Sequence, residues 1–481
     1  MKTFLLSVAF LFAATLTMAQ WEPDVRLTND PGAGRTSLNN AWCIAASGDT
    51  VHVVWQDDRT GVEQTYYKRS TDGGITWGED TRLSNTTVYA GDPTIAVSGS
   101  FVNVLWHGGV LYDFMLYYTR STDGGTTWDP VTQLTNWPDA HTIYPSMAVS
   151  GSVVHVPWQD NRDGNGGNEI YYKRSADEGI TWGDDVRLSN DPNYSGLPSV
   201  AAAGSDVHIV WEDDRDGPNG EGSVYYKRST DGGITWGDDT PLTNSSADAW
   251  DPSVAVSDSE VHVVYYDWAW NEIFYIHSTD GGATWQSAQQ LTNATGFSKY
   301  PSIAVSGSFV HVTWEDTRDG NFEIYYKRST DGGVTWEPDV RLTNAMYNSL
   351  LTSVAVSDSV VHVVWTDKRD FNDEIYYKRN PTGNVITPTW TIEQNISQNQ
   401  LVISPNPASS YLNINFKSPT SSNVVVNLIN MSGQTIMTRE FAISEGMNHV
   451  SLNLTDISDG IYSLVLTNEN QRYISRVVVM N

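Results

Sequence analysis

One cysteine, Cys43, stands in 481 residues, so neither an intramolecular disulfide framework nor a Cys-based metal cluster is available. A lone thiol of this kind is read as a buried, inert side chain. Basic residues are scarce as well: 28 Lys+Arg face 57 Asp+Glu, a formal net charge of −29. That field repels phosphate backbones and anionic lipid, which argues against nucleic-acid binding and membrane-surface attachment. Long apolar runs are missing beyond the first twenty residues, so no transmembrane segment is predicted. What the chain has instead is Trp 19, Tyr 24 and Gly 38. Such a composition is β-rich and turn-rich, and the length suits two or three domains.

The single early apolar run, Phe4 to Ala14 after Lys2, is too short to span a bilayer. Thr17-Met18-Ala19 follows with small residues at the −3 and −1 positions, so residues 1–19 are expected to be a cleaved signal peptide. No cysteine follows for a lipid anchor.

Repetition dominates what remains. A phrase close to Val-His-Val-Val-Trp-x-Asp begins at Val51, Val207, Val261, Val310 and Val361, with looser copies at Val102 and Val154. A second, close to Glu-Ile-Tyr-Tyr-Lys-Arg-Ser, and a third, Arg-Leu-Thr-Asn, recur in step with it, about 51 residues apart. Each unit holds four short alternating strands with tight Gly/Asp turns, the pattern of a β-propeller blade. The chain opens on an orphan fourth strand, Trp21 to Asn29, and its repeats close on an orphan set of the first three, ending at Arg379. The prediction is all-β: a seven-bladed β-propeller whose N-terminal strand completes the last blade and removes the exposed edges, plus a small C-terminal β-sandwich.

The turn between the third and fourth strands reads Ser70-Thr71-Asp72-Gly73-Gly74-Ile75-Thr76-Trp77. Its aspartate recurs at Asp123, Asp177, Asp231, Asp280 and Asp331, at steps of 51, 54, 54, 49 and 51. This pattern resembles the Asp-box (BNR) repeat of the sialidase-like propellers, over about residues 20–390. Physically, Asp and Ser/Thr side chains bond backbone N–H groups inside the hairpin, glycine supplies φ > 0 and Trp packs on the blade. The six aspartates are therefore read as fold staples. The repeated strand histidines, His52, His155, His208, His262, His311 and His362, are read as packing.

Five loops carry an Asp-x-Arg pair, at Asp57/Arg59, Asp160/Arg162, Asp213/Arg215, Asp316/Arg318 and Asp367/Arg369, read as repeated ion pairs between neighbouring loops. The Asp/Gly-rich loops at 160–169 and 213–222 could hold Ca²⁺ through oxygen ligands, though not at EF-hand spacing. No cofactor or metal is otherwise expected.

In the family this chain resembles, the functional side lies away from the Asp boxes. Function should sit there, where the repeat breaks. The individual residues of those loops are Trp42, His107, Tyr112, His141, Tyr144, Trp250, Asp251, Trp268, Trp270 and Tyr300, taken as candidate ligand-binding residues. Aromatic rings with a few polar groups suit sugars, whose C–H faces stack while their hydroxyls bond. The resemblance also implies a rival reading, an exo-sialidase type glycoside hydrolase with an arginine triad and a Phe/Tyr-Arg-Ile-Pro motif. No Arg-Ile-Pro occurs, and the blades are nearly alike, so no catalytic residue is assigned.

After a polar linker at 391–400, the composition shifts to Asn, Ser and Val. Pro405-Asn406-Pro407, Gly460-Ile461-Tyr462 and the closing Val477-Val478-Val479 resemble the C-terminal sorting domain (type A) of type IX secretion substrates, covering 401–481. The resemblance implies passage to the outside, with release or attachment at the outer-membrane surface, and the type IX machinery as a partner. The expected ligand partner is an extracellular glycan or glycoprotein.

Overall fold

The computed structural model describes residues 21–37, 43–110, 113–138, 140–164, 167–190, 193–217, 221–244, 248–384, 401–418, 420–430, 435–458, 460–467 and 472–479. The predicted signal peptide, the linker, Trp42 and Tyr112 lie outside them. The chain forms two compact units, Met1–Thr387 and Pro388–Asn481. All regular elements among the described residues are strands.

Among the described residues the first unit holds seven antiparallel sheets, numbered here in chain order. The second is representative: Tyr89–Ser98, Phe101–Val110, Asp113–Ser121 and the short outer Thr132–Gln133 lie in sequence order. The innermost strands contact one another in succession, and Ser349–Ser357 of the seventh sheet contacts Ile44–Ser47 of the first, so the ring closes. This is a β-propeller. Ala and Val side chains of all seven innermost strands line an apolar axial channel of ≈ 220 Å³. Each second strand is covered on both faces by neighbouring sheets, which is why Thr50–Asp57 is buried at every position but its first. The orphan strand completes the seventh sheet, Val25 opposite Tyr377 and Arg26 opposite Tyr376.

The Asp boxes act as the sequence predicts. Asp72 accepts from Thr76 N–H (2.8 Å), Thr76 Oγ1 (2.6 Å) and Ser70 Oγ (2.7 Å), which holds its carboxyl down at about 2. The boxes also join sheets. Trp128 stands edge-on to Tyr67 of the preceding sheet, ring centroids 4.8 Å apart. Trp77, Trp182, Trp236, Trp285 and Trp336 repeat that contact, and Trp21 supplies the seventh, on Tyr326. The second box glycine is forced by the same tyrosines: a Cβ on Gly125, at φ +81°, would lie 1.8 Å from Tyr67 Oη. That hydroxyl bonds His52 Nδ1 at 2.7 Å, and burial pushes His52 down to about 4. The strand histidines are thus neutral packing groups.

The Asp-x-Arg pairs differ from expectation in their partner. Arg59 bridges Asp57 (2.6 Å) to Asp80 (2.6 Å) just before the outer strand of its own sheet, with Asp30 also at 2.6 Å. Arg162, Arg215 and Arg318 repeat the bridge to Asp185, Asp239 and Asp339. The pair ties the loop to its own outer strand, because the guanidinium lies over the sheet's third-strand tyrosine, 4.3 Å from the Tyr66 ring centre. Asp160 and Asp213, weighed as Ca²⁺ ligands, spend their carboxylates on Arg162 and Arg215 and on Trp158 and Trp211.

The second unit packs Leu401–Ser404, Tyr411–Ser418 and Gly446–Asn453 as one sheet, and Thr435–Ile443, Ser422–Asn430, Gly460–Thr467 and Arg472–Val479 as another. Strict alternation sends Leu412, Ile414, Phe416, Val424, Val426 and Leu428 into one core between them, a β-sandwich.

Candidate functional site

The segments linking one sheet to the next pair with the ends of the second strands: Gly34 faces Asp57, Ser195 faces Asp213 and Ala249 faces Asp267. The box turns instead bond the hairpin after the innermost strand, as Gly73 N–H does to Asp49 O. The variable loops therefore share the face opposite the Asp boxes.

On that face six of the innermost strands start with an irregularity. Asp92, Tyr144, Leu197, Asp251, Tyr300 and Leu351 adopt φ between +46° and +56°, five of them directly before proline. A side chain in the left-handed region costs about 1–2 kcal/mol. The bulged N–H is turned toward the preceding sheet, where it meets the residue between Trp and Asp of the second strand. Asp92 N–H donates to Gln56 Oε1 (2.8 Å), Leu197 N–H to Gln159 Oε1 (3.2 Å), Asp251 N–H to Glu212 Oε1 (2.6 Å) and Leu351 N–H to Glu315 Oε1 (2.6 Å). One geometry thus takes an amide in two sheets and a carboxyl in two others.

The carboxyls gain something the amides lack. Glu212 and Glu315 are each 1% exposed, and their Oε2 atoms have no hydrogen-bond partner among the described residues. Burial pushes Glu315 up to about 8. Burial also raises Glu212 well above the carboxylate range, with the nearby Asp251 charge adding to the effect. Burial lifts half-buried Asp251 to about 7, against the pull of Lys299. Three acids around the axis therefore resist ionising.

A cleft of ≈ 520 Å³ opens beside Glu212 and Asp251, between the fourth, fifth and sixth sheets. Tyr194, Trp250, Tyr266, Trp268 and Tyr300 supply rings; Glu212, Glu221, Asp248, Asp251 and Lys299 supply charge, and Leu197 completes the lining. Trp250 is anchored by its Nε1 on Asp248 Oδ1 (2.8 Å), and Tyr266 Oη donates to Asn271 (2.8 Å). Trp268 is 61% exposed, a large ring left in water. Lys299 Nζ rests over the Tyr300 and Phe322 rings at 4.6 and 4.5 Å.

Of the candidate residues, Trp250, Asp251, Trp268 and Tyr300 converge on this cleft. His107, His141 and Tyr144 form a separate aromatic group with Phe114: His107 lies 5.3 Å from Phe114 and 6.2 Å from Tyr144, and His141 lies 5.9 Å from Phe114. His107 is buried and pushed down by that burial, with Nε2 3.8 Å from Asp92, so it is packed rather than presented. Trp270 points to solvent and is not among the cleft residues. Sequence reasoning missed Glu212 and Glu315. Their signal was the x of Trp-x-Asp: Gln56, His107, Gln159, Glu212, Tyr266, Glu315 and Thr366, a variable position inside an otherwise fixed phrase.

Residues 8–214 match the BNR repeat-like domain family, and residues 402–480 match the secretion system C-terminal sorting domain family. Residues 8–214 thus carry BNR repeats, and residues 402–480 a type IX sorting domain. Among curated proteins it is similar to the xyloglucanase Xgh74A of Acetivibrio thermocellus, 28% identical over 197 residues, covering 35% of this chain and 22% of that one. It is also similar to a sialidase of Bacteroides fragilis, 23% identical over 269 residues, covering 48% and 46%. The chain thus spans less than half the length of either relative. Similar solved structures include the phage phi92 endosialidase (TM-score 0.47, 9% identical, covering 95% and 87%) and the α-L-arabinofuranosidase arb93a from Fusarium graminearum (TM-score 0.45, 15% identical, covering 62% and 97%).

Proposed function

We propose that this BNR-repeat propeller, exported through its N-terminal signal and its C-terminal sorting domain, binds an extracellular glycan in the cleft of the fourth to sixth sheets. One observation carries the reading: rings of Trp250, Trp268, Tyr194, Tyr266 and Tyr300 surround polar groups on the face away from the boxes. Sugars need that combination. Two relatives named for polysaccharide or glycoside chemistry, a xyloglucanase and a sialidase, agree with a glycan ligand. Sialic acid itself fits poorly, because among the described residues no arginine lines the cleft to clamp its carboxylate.

The test is a glycan array probed with the mature chain and with Trp268→Ala. Because Trp268 is exposed, the substitution should leave stability within about 0.5 kcal/mol. Loss of one stacked ring should weaken binding about tenfold. Absence of binding to every glycan sinks the proposal.

A second reading, a glycoside hydrolase, is favoured by the acids that hold their protons near neutrality, since such a reaction needs a protonated carboxyl beside an ionised one. Release of reducing ends from a polysaccharide panel, abolished by Asp251→Asn, would promote it over binding alone.

A further inference from the structure

Glu212 holds one oxygen in the inter-sheet bond to Asp251 N–H and leaves the other, buried and unpartnered among the described residues, at the cleft wall. Gln56 and Gln159 make the same bond without a charge, so the fold does not require an acid at this position. A buried carboxyl with an idle oxygen is costly when nothing answers it. Asp251 lies beside it, and Glu221 and Asp248 stand further along the lining. Among the described residues the one cation in the lining is Lys299, whose ammonium rests over the Tyr300 and Phe322 rings and pulls on Asp251 rather than Glu212.

Resting on the glycan reading above, we infer that the cleft selects sugars bearing a free amine, a 2-amino-2-deoxy sugar rather than its N-acetylated or acidic counterpart. The amine brings a positive charge to Glu212, on which no cation among the described residues acts, and its N–H donors reach the idle Oε2 in a charge-assisted bond. The aromatic walls accept the C–H face of the same ring and add cation–π attraction. An N-acetyl group removes the charge. A sialic acid or uronic acid brings a carboxylate to a wall of carboxylates.

Binding an ammonium here also ionises acids that otherwise keep their protons. At a pH where the free amine is already protonated, association should therefore release protons to the buffer, and the apparent enthalpy should differ between phosphate and Tris. Besides the Glu212–Asp251 corner, the charged and titratable groups facing it are Glu221, Asp248, Lys299, Tyr144, Tyr194, Tyr266, Tyr300 and, from the sixth sheet, Glu315.

The experiment is isothermal titration of the full mature chain with a fully deacetylated β-1,4-glucosamine tetramer, its N-acetylated form, 3′-sialyllactose and tetralysine. The expected result is binding of the deacetylated tetramer at least about tenfold tighter than the acetylated one, with proton release. Glu212→Gln should abolish that preference without lowering the thermal midpoint, since glutamine serves in two other sheets and removes a buried acid that resists ionising. Equal affinity for both tetramers, preference for the sialoside, tetralysine binding as tightly as the amino sugar, or no effect of Glu212→Gln overturns the inference while glycan binding stands. No binding by any saccharide overturns both.

Discussion

Glu315 gives the cleanest quantitative test of how the axial acids are held. Its Oε1 accepts from Leu351 N–H at 2.6 Å, its Oε2 has no partner among the described residues, and it is 1% exposed. Burial moves its titration from the ordinary 4.5 to about 8. Between those values the folded chain holds a proton that the unfolded chain has released. Stability therefore falls as pH rises from about 4.5 to 8 and is flat beyond. At about 1.4 kcal/mol per pH unit, the loss amounts to about 5 kcal/mol. Glu315→Gln keeps the acceptor that Gln56 and Gln159 already use and removes the titration. Urea unfolding of both proteins at pH 5, 7 and 9 is the assay. The variant should match the wild type within about 1 kcal/mol at pH 5 and exceed it by up to about 5 kcal/mol at pH 9. Glu212 and Asp251 remain in both, so their common slope cancels in the difference except where they couple to Glu315. A stability difference that is the same at pH 5 and pH 9 would refute the reasoning.

The histidine–tyrosine pairs behave in the opposite sense. His155 is buried, pushed down to about 4, and bonded to Tyr172 Oη at 2.7 Å, so stability is lost as pH falls from 6.5 to 4. His155→Asn, the arrangement Asn103 already makes with Tyr118, should recover about 3 kcal/mol at pH 4 and little at pH 7, read from unfolding midpoints against pH. Gly125→Ala meets both a left-handed backbone and a Cβ 1.8 Å from Tyr67 Oη, whereas Gly99→Ala meets only the backbone term. Gly99→Ala should cost about 1 kcal/mol and Gly125→Ala at least about 3 kcal/mol; equal costs would show that the tyrosine simply moves away.

The fold was legible because repetition multiplies a weak local signal. One Ser-x-Asp-x-Gly-x-Thr-Trp turn is a modest clue, but six in register leave a propeller with few rivals. The orphan Trp21 strand was readable for the same reason, since Trp21 to Asn29 matches Trp336 to Asn344 residue for residue. Sandwich alternation in the second unit was also plain in the sequence. The site was half legible. Trp250, Asp251, Trp268 and Tyr300 break the pattern visibly and do meet, yet His107 breaks it just as visibly and is buried among Tyr89, Phe114 and Tyr144. Glu212 and Glu315 sit inside the most regular phrase of the chain, where regularity argued for packing.

The sequence by itself determined the strands, the turns, the closure and the staples, because each depends on residues close in the chain or repeated along it. Spacing of apolar side chains, glycine at positive φ and carboxylates capping their own hairpins are local matters. Tertiary structure alone decided which acid keeps its proton. Glu212 and Gln159 follow the same tryptophan in the same strand, and both accept one N–H from the next sheet. What separates them is the idle carboxyl oxygen, the burial around it and the Asp251 charge from 39 residues away in sequence, a distance that only the closed ring removes.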